Sequence, residues 1–597
     1  MADTLTHRGP DGDGYWINEG TTAGFGHRRL AIIDLTKAGA QPMHYLERYT
    51  IVYNGEIYNY LELRKGLERA GYSFRSQSDT EVILAAYDLN KTDCLKSFDG
   101  MFSFAIWDEQ EKELFAARDR FGEKPFYFNH TDKTFSFASE MKALWVLGIA
   151  KSINPKMLLD YLTLGYVQNA ANRSATFYEN IFSLIPSHYL LYNLKKDKLS
   201  ITRYWDIDKQ ASEKYTHSQA LLTLDNLLHT SVSRRLRSDV PTGTSLSGGL
   251  DSSTILYYIK KIQQGDVSFK TFSAVFPGFE KDESEYIRLM TDSTQTLNHQ
   301  IIPTADSLIN DFEKLAYHQE EPFTSSSIYA QFKVFELAKS NNIKVLLDGQ
   351  GADELLGGYH KYIHWYLQEL VSRYRFSKFK NEKKLLAANN VNTHWDFKNI
   401  LAVLLPSHAA LALEKREYKK IRQNNYVSAS LKSAIKDGQS NSIYKPVVTK
   451  LNDMLYFNTM CHGLEELLRY ADRNSMAHGV EVRLPFLNAQ LAEFIFSLPS
   501  DLKIQNGYPK WILRKLMDHK LPAGIVWRKD KIGYEPPQKL WMQDDKLKDY
   551  MHEAKKKLVN NDILDPVVLE KKPTPRHAHD ADNFDWRYLC AAQLLKK

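Results

Sequence analysis

Between residue 21 and about residue 193 the apolar positions come in short β-branched or aromatic runs separated by turn residues. Residues 24–35, 49–59, 100–108, 113–119, 124–129 and 134–140 are of strand length and composition. Two stretches between them, 58–71 and 80–88, repeat apolar residues at i, i+3, i+4 and predict helices, with Ser78 and Asp79 offering the second an N-cap. The first half therefore reads as α+β, rich in antiparallel strands, and closes in a hairpin and connector over 188–206. Near Tyr215 the period changes. Isolated apolar strands at 242–247, 270–276, 298–303 and 343–349 are each followed by a polar or Gly-containing turn and then a helix, the pattern of a parallel, doubly wound α/β sheet. From about Lys361 the chain is mostly helical. Residues 376–439 are Lys- and Asn-rich and weakly periodic, and predict a solvated helical insertion rather than a site.

Composition narrows the class. With 43% hydrophobic and 25% charged residues the chain is globular, and no apolar run approaches the roughly 18 residues that a bilayer span requires. The 78 Lys and Arg against 72 Asp and Glu give a net +6 over 597 residues, which predicts no nucleic-acid and no membrane partner. Three cysteines, Cys94, Cys461 and Cys590, are too scattered for a metal pair or a disulfide framework. Together with an N-terminus lacking a signal-type apolar stretch, they predict a cytoplasmic protein.

The sharpest motif runs from Ser245 through Ser247, Gly248, Gly249 and Asp251 to Ser252 and Ser253, after a strand and at the start of a helix. Glycines let the backbone approach a ligand, N–H groups point outward at a helix start, and hydroxyls add donors, so the loop suits a phosphate. A plain Ser/Gly turn with an N-cap is the competing reading, disfavoured by the strand–glycine–hydroxyl–helix order. No P-loop signature for a γ-phosphate occurs. Asp251 would repel phosphate unless a divalent cation bridged them, and Asp353, in the Asp348-Gly349-Gln350-Gly351-Ala352-Asp353-Glu354 loop, is its natural partner on Mg²⁺. Helix-dipole compensation is the alternative reading of Asp353 and Glu354. In a parallel sheet both loops face the carboxyl ends of the strands and so share one crevice. Cationic donors for a transferring phosphoryl group are Lys510, Arg528, Lys529 and Lys531.

These residues, with ordered matches at 7–16, 24–35, 53–64, 78–87, 98–108, 117–128, 137–144, 347–362, 467–488 and 527–537, resemble the glutamine-dependent asparagine synthetases of the bacterial B type. The resemblance implies an N-terminal nucleophile hydrolase domain over 1–193, a four-layer αββα sandwich that releases ammonia from glutamine. It implies a second domain over 210–597, an α/β ATP-pyrophosphatase (PP-loop) domain with a mostly helical C-terminal part, that adenylates aspartate. Ammonia crossing an internal tunnel then displaces AMP, and relatives suggest a homodimer. Residue by residue, Arg29 resembles the group that binds the glutamine α-carboxylate, Asn54 and Gly55 the oxyanion hole, Glu56 a border of that pocket, and Asp79 the partner of the α-amine. Charge logic agrees, because an amino acid needs one cation and one anion and a tetrahedral intermediate needs fixed donors. Structural readings stay open, with Asn54-Gly55 as a hairpin turn and Asp79 as a helix cap. ATP falls on Ser245, Ser247, Gly248, Gly249, Asp251 and Ser252, with adenine near Ala274, Asp348 and Gly349. Lys510 resembles the lysine that stabilises the pentavalent phosphorus.

Two departures stand out. Family members begin, once the initiator Met is removed, with a cysteine whose thiol is the nucleophile, whereas this chain begins Met1-Ala2. Glutamine hydrolysis is expected to fail in the chain as given: either the protein is an ammonia-dependent synthetase or the chain starts at an internal Met, and the retained Arg29, Asn54 and Asp79 favour the second, with an upstream frame that has a Met-Cys-Gly-like start. Secondly, Gln350 stands where the best-known members carry a Glu, and Gln is no base at ordinary pH. Aspartate as acceptor therefore rests on resemblance, and another carboxylate, in surface-polymer or natural-product synthesis, is the alternative. A catalytically silent binding protein and a tRNA-modifying enzyme are further readings, opposed by the intact loop and by the near-neutral charge. Glu466, Arg469, Asp472 and Glu481 are expected to line the acceptor pocket, or to be structural ion pairs.

Overall fold

The computed structural model describes every residue except 132–133, 264–268, 392, 394, 435–442, 530–534 and 597. Lys531 and the end of the 376–439 insertion thus lie outside the described residues.

In the N-terminal half the strands are β1 (Gly12–Ile17), β2 (Gly24–Arg29), β3 (Met43–Tyr45), β4 (Tyr49–Ile57), β5 (Gly100–Asp108), β6 (Glu113–Arg118), β7 (Tyr127–His130), β8 (Phe135–Ala138), β9 (Phe182–Ser183), β10 (His188–Asn193) and β11 (Lys198–Arg203). A six-stranded antiparallel sheet runs β11-β10-β6-β5-β4-β3, and the smaller sheets β1-β2 and β8-β7-β9 accompany it. Central strand β5 explains the layering. Its Phe102, Phe104 and Ile106 pack with Val82, Ile83 and Ala86 of α2 (Asp79–Asn90), which follows α1 (Tyr60–Arg69). The alternate residues Ala105 and Trp107 pack with Phe25, Phe126 and Phe128 of the smaller sheets' side. Period-2 alternation thus sends two apolar faces into two cores, and the strand is buried on both. Helix α3 (Met141–Trp145) packs on β7 and β8, completing a helix–sheet–sheet–helix stack. Helix α4 (Pro155–Leu164), opened by the Asn154 cap and Pro155, then leads out of it.

The second half carries a five-stranded sheet of β12 (Thr242–Ser245), β13 (Lys270–Ala274), β14 (Leu297–Ile301), β15 (Val345–Leu347) and β16 (Glu481–Arg483), ordered β14-β13-β12-β15-β16 with every pairing parallel. Its helices are α5 (His217–Arg235), α6 (Leu250–Gln263), α7 (Ser284–Thr294), α8 (Ala305–Gln319), α9 (Ser327–Ser340) and the short α10 (Ala352–Leu356). Strand order reverses at β12, where β13 lies on one side and β15 on the other, and a crevice opens at their carboxyl ends. Beyond follow α11 (His360–Ser372), α12 (Phe376–Ala388), α13 (Phe397–Leu404), α14 (Pro406–Arg422), α15 (Ala429–Ser433), α16 (Leu451–Tyr456), α17 (Leu464–Met476), α18 (Ala489–Ser497), α19 (Ser500–Lys503) and α20 (Trp511–Met517), then further helical turns.

Several expectations are corrected. The strand expected over 24–35 stops at Arg29, because Ile32 and Ile33 are buried in the core of the second half and the Asp34 carboxylate accepts from Thr36 N and Gln77 N. Asn54-Gly55 is no hairpin turn but lies within β4, opposite Ser103 and Phe102. Ser78, not Asp79, caps α2: its Oγ accepts from Thr80 N at 3.1 Å, which releases Asp79 for other contacts. β16 escapes sequence reading because three residues carry no readable period.

Candidate active sites

A cavity of about 390 Å³ in the N-terminal half is lined by Arg29, Asn54, Gly55, Glu56 and Asp79, so the five residues expected around glutamine do converge. Arg29 leaves the end of β2 with its guanidinium braced by the carbonyls of Thr36, at 2.7 Å, and Asp34. Gly55 has φ +142°, and a Cβ there would lie 2.1 Å from the Met101 carbonyl oxygen, so only glycine keeps β4 seated on β5. Asn54 Nδ2 reaches Ser139 Oγ at 3.4 Å. Asp79 is buried at the first turn of α2 and accepts from Tyr53 Oη and Ile57 N, both at 2.8 Å. Burial raises its pKa to about 6, even though those two donors favour the carboxylate. Glu56 is buried beside it, and burial together with the Asp79 charge raises its pKa well above the carboxylate range. Tyr53, Ser103 and Ser139 were not anticipated in this cavity, and all lie on or beside strands whose alternation was readable. No cysteine is among the lining residues: Cys94 is buried in a short helical turn of the α2 side, and Cys461 and Cys590 belong to the second half.

The second cavity, about 360 Å³, opens at the β12/β15 crevice. It is lined by Ser245, Ser247, Gly249, Asp251 and Ser252 from one loop, and by Asp348, Gly349, Gln350 and Asp353 from the other. Ser247 Oγ lies 3.2 Å from Ser252 Oγ and accepts from Gly249 N at 3.3 Å, which folds the hydroxyls over the helix start. Gly248 turns this loop at φ +71°; it and Ala274, buried at the end of β13, lie behind the lining rather than on it. The two loops touch, since a Cβ on Gly349 would come 3.0 Å from Asp251 Cβ. Burial lifts the pKa of Asp348 to about 6.

Lys510 ties the cluster together. Held at φ +54° just before α20, its buried ammonium bonds Asp251 and lies 2.6 Å from Asp353 Oδ1. Burial opposes the charge, but the two carboxylates outweigh it and hold the pKa above the usual lysine value, so Lys510 is an ammonium at every physiological pH. Asp251 and Asp353 thus converge on one cation-sized point, and paired carboxylate oxygens are the donor type a hard divalent cation takes. Gln350 Oε1 is buried and accepts no hydrogen bond from any described residue.

Arg528 and Lys529 also line the cavity. Arg528 pairs with Glu283 at 2.9 Å and stacks 3.7 Å from the Tyr286 ring centre. Arg514, one turn after Lys510, is a lining cation that sequence reading missed; the i, i+4 spacing of the pair was its signal. None of the four charged candidates, Glu466, Arg469, Asp472 and Glu481, lines this cavity: Leu467 and Tyr470 of α17 do, and Glu466 stands behind them, accepting from the Tyr470 hydroxyl at 2.9 Å. Arg469, Asp472 and Glu481 lie instead on the side of the second half turned towards the first. Arg469 pairs with Glu321, Asp472 takes Arg8 at 2.8 Å, and Glu481 lines the first cavity and pairs with Arg483 at 2.9 Å.

The halves meet over buried charge. Arg8 and Arg473 share Glu140, and Arg473 also holds Glu320 at 2.7 Å. Arg483 spans the cavities: its side chain bonds Glu481 and lies 3.4 Å from Glu56, while its carbonyl accepts from Asp348 N at 2.9 Å.

An amino-acid-sized cavity joined in this way to a phosphate-loop cavity is the arrangement of a two-site amidotransferase. Comparison with known families agrees, matching residues 1–205 to a glutamine amidotransferase domain and residues 223–594 to asparagine synthase. The chain belongs to the asparagine synthase family and is an enzyme, a carbon–nitrogen ligase. It is 30% identical over 589 residues to "Asparagine synthetase [glutamine-hydrolyzing] 1" of Bacillus subtilis, covering 95% of this chain and 87% of that one. To "Asparagine synthetase [glutamine-hydrolyzing] 3" of the same organism it is 31% identical over 550 residues, covering 89% and 82%. Among solved structures, a glutamine phosphoribosylpyrophosphate amidotransferase of B. subtilis aligns with 51% of this chain and 77% of that one at 15% identity and a TM-score of 0.27, too slight a likeness to speak for the fold.

Proposed function

We propose that the protein converts aspartate to asparagine through a β-aspartyl-adenylate, releasing AMP and pyrophosphate, with ammonia drawn from glutamine at the first cavity. The observation that carries this reading is the Lys510–Asp251–Asp353 cluster at the mouth of a phosphate-binding loop. In this account the Ser245–Ser252 loop holds the leaving pyrophosphate, Lys510 swings from the carboxylates to the α-phosphate as charge develops there, and Asp348 and Gly349 border the base. Asp251 and Asp353 would hold Mg²⁺, which when bound supplies charge neutralisation between carboxylate and phosphate. Gln350 offers its carbonyl oxygen to the acceptor's amine or to incoming ammonia.

At the first cavity Arg29 and Asp79 take the two charges of glutamine, and Asn54 and Gly55 supply the donors for the oxyanion. Glutamine hydrolysis at this cavity requires a thiol nucleophile beside Asn54 and Gly55, a role that none of the described lining residues fills. A second acceptor reading, another carboxylate, is favoured by Gln350 in place of an acidic group. Pyrophosphate release by the purified chain, with ammonium as donor, tests both. Stimulation by aspartate above every other carboxylate supports the first reading, and no stimulation by aspartate alongside stimulation by another acid replaces it with the second.

A further inference from the structure

In the described part of the 376–439 insertion, one helix turns apolar side chains to solvent. Helix α13 is amphipathic, yet none of its residues is buried, although it packs on α11 and α14. Phe397, Ile400, Leu401 and Leu404 recur at the spacing of one helical face, and that face points outward, with Phe397 70% and Leu404 69% exposed. Exposed Leu405 and Leu411 carry the apolar strip into α14. Along α14 the strip gives way to exposed cations, Lys415, Arg416, Lys419 and Arg422, while Lys398 flanks it on α13. Residues 373–422 hold twelve Lys and Arg against four Asp and Glu, a net +8 where the whole chain nets only +6. The chain-wide balance that argued against a membrane partner averages this segment away.

We propose that α13 and the start of α14 are a docking surface for an anionic lipid bilayer. An outward apolar stripe bordered by basic side chains is what lies in the headgroup–acyl boundary, with the cations on phosphate groups. A second copy of the chain fits worse, because a two-fold contact through this face would set the same cations against each other. Attachment is peripheral: no helix among the described residues is long and apolar enough to cross a membrane.

Sedimentation of the full chain with phosphatidylcholine vesicles, and with vesicles that also contain phosphatidylglycerol, tests this. Binding is expected only to the anionic vesicles and to fall with salt. The variant Phe397→Asp/Leu404→Asp should abolish it and Lys415→Glu/Lys419→Glu should weaken it roughly tenfold, with ATP-dependent pyrophosphate release unchanged in both. No binding to the anionic vesicles overturns the proposal. So does binding that survives the apolar variant, which would leave a general polyanion site, and so does a solution dimer that the apolar variant splits in the absence of vesicle binding.

Discussion

Asp79 shows how one carboxylate is prepared for a ligand at a cost to the fold. Burial raises its pKa to about 6 from the ordinary 3.8, so the folded state binds more protons than the unfolded state between these values. Its contribution to stability is therefore greatest below pH 4 and is lost as pH rises towards 6. Asp79→Asn, which keeps an acceptor for Tyr53 and Ile57, is expected to raise stability above pH 6 by about 2 kcal/mol, to leave it unchanged near pH 4, and to weaken glutamine binding. Thermal melts at the two pH values and glutamine titration check this; equal melts at both would show that the burial cost is met elsewhere. The sequence exposed Asp79 as a candidate but not its strain, since the donors Tyr53 and Ile57 come from β4, more than twenty residues away.

At the scale of elements, the phosphate loop was legible because it is local: strand, glycines, hydroxyls and helix follow one another within a dozen residues. The cluster it serves was not. Lys510 joins Asp251 and Asp353 from 259 residues beyond the former, and only resemblance singled it out among the late cations. The close seating of these parts shows in Gly358, where a Cβ would lie 1.8 Å from Asp353 Oδ1 and 2.2 Å from Lys510 Cε. Gly358→Ala is expected to displace both groups and cut pyrophosphate release by about 10²-fold, the size of effect seen on losing one transition-state donor. The melting temperature should move by only a few degrees, and wild-type rates in this variant would separate Lys510 from catalysis. Helix α17 erred in the other direction. Its acidic and basic residues looked like one pocket's lining, but the charges Arg469 and Asp472 face the other half of the molecule.

For the whole molecule, the interface is the part least readable in one dimension. Arg483 lies in a three-residue strand, yet it touches Glu56 of the first cavity and, through its carbonyl, the Asp348 loop of the second. Arg483→Met would leave Glu481 without the buried cation that bonds it at 2.9 Å, and about 3–5 kcal/mol of stability is expected to go with it. Calorimetry reads this directly, and an unchanged unfolding profile would show that the Arg483–Glu481 pair does not hold the interface. The central claim, adenylation of a carboxylate at the Lys510 cluster, is tested most directly by supplying aspartate labelled with heavy oxygen in its side-chain carboxylate, together with ATP and ammonium, and weighing the nucleotide formed. Attack by that carboxylate on the α-phosphorus predicts AMP carrying one heavy oxygen, alongside pyrophosphate. ADP and inorganic phosphate, or AMP without the label, would contradict it.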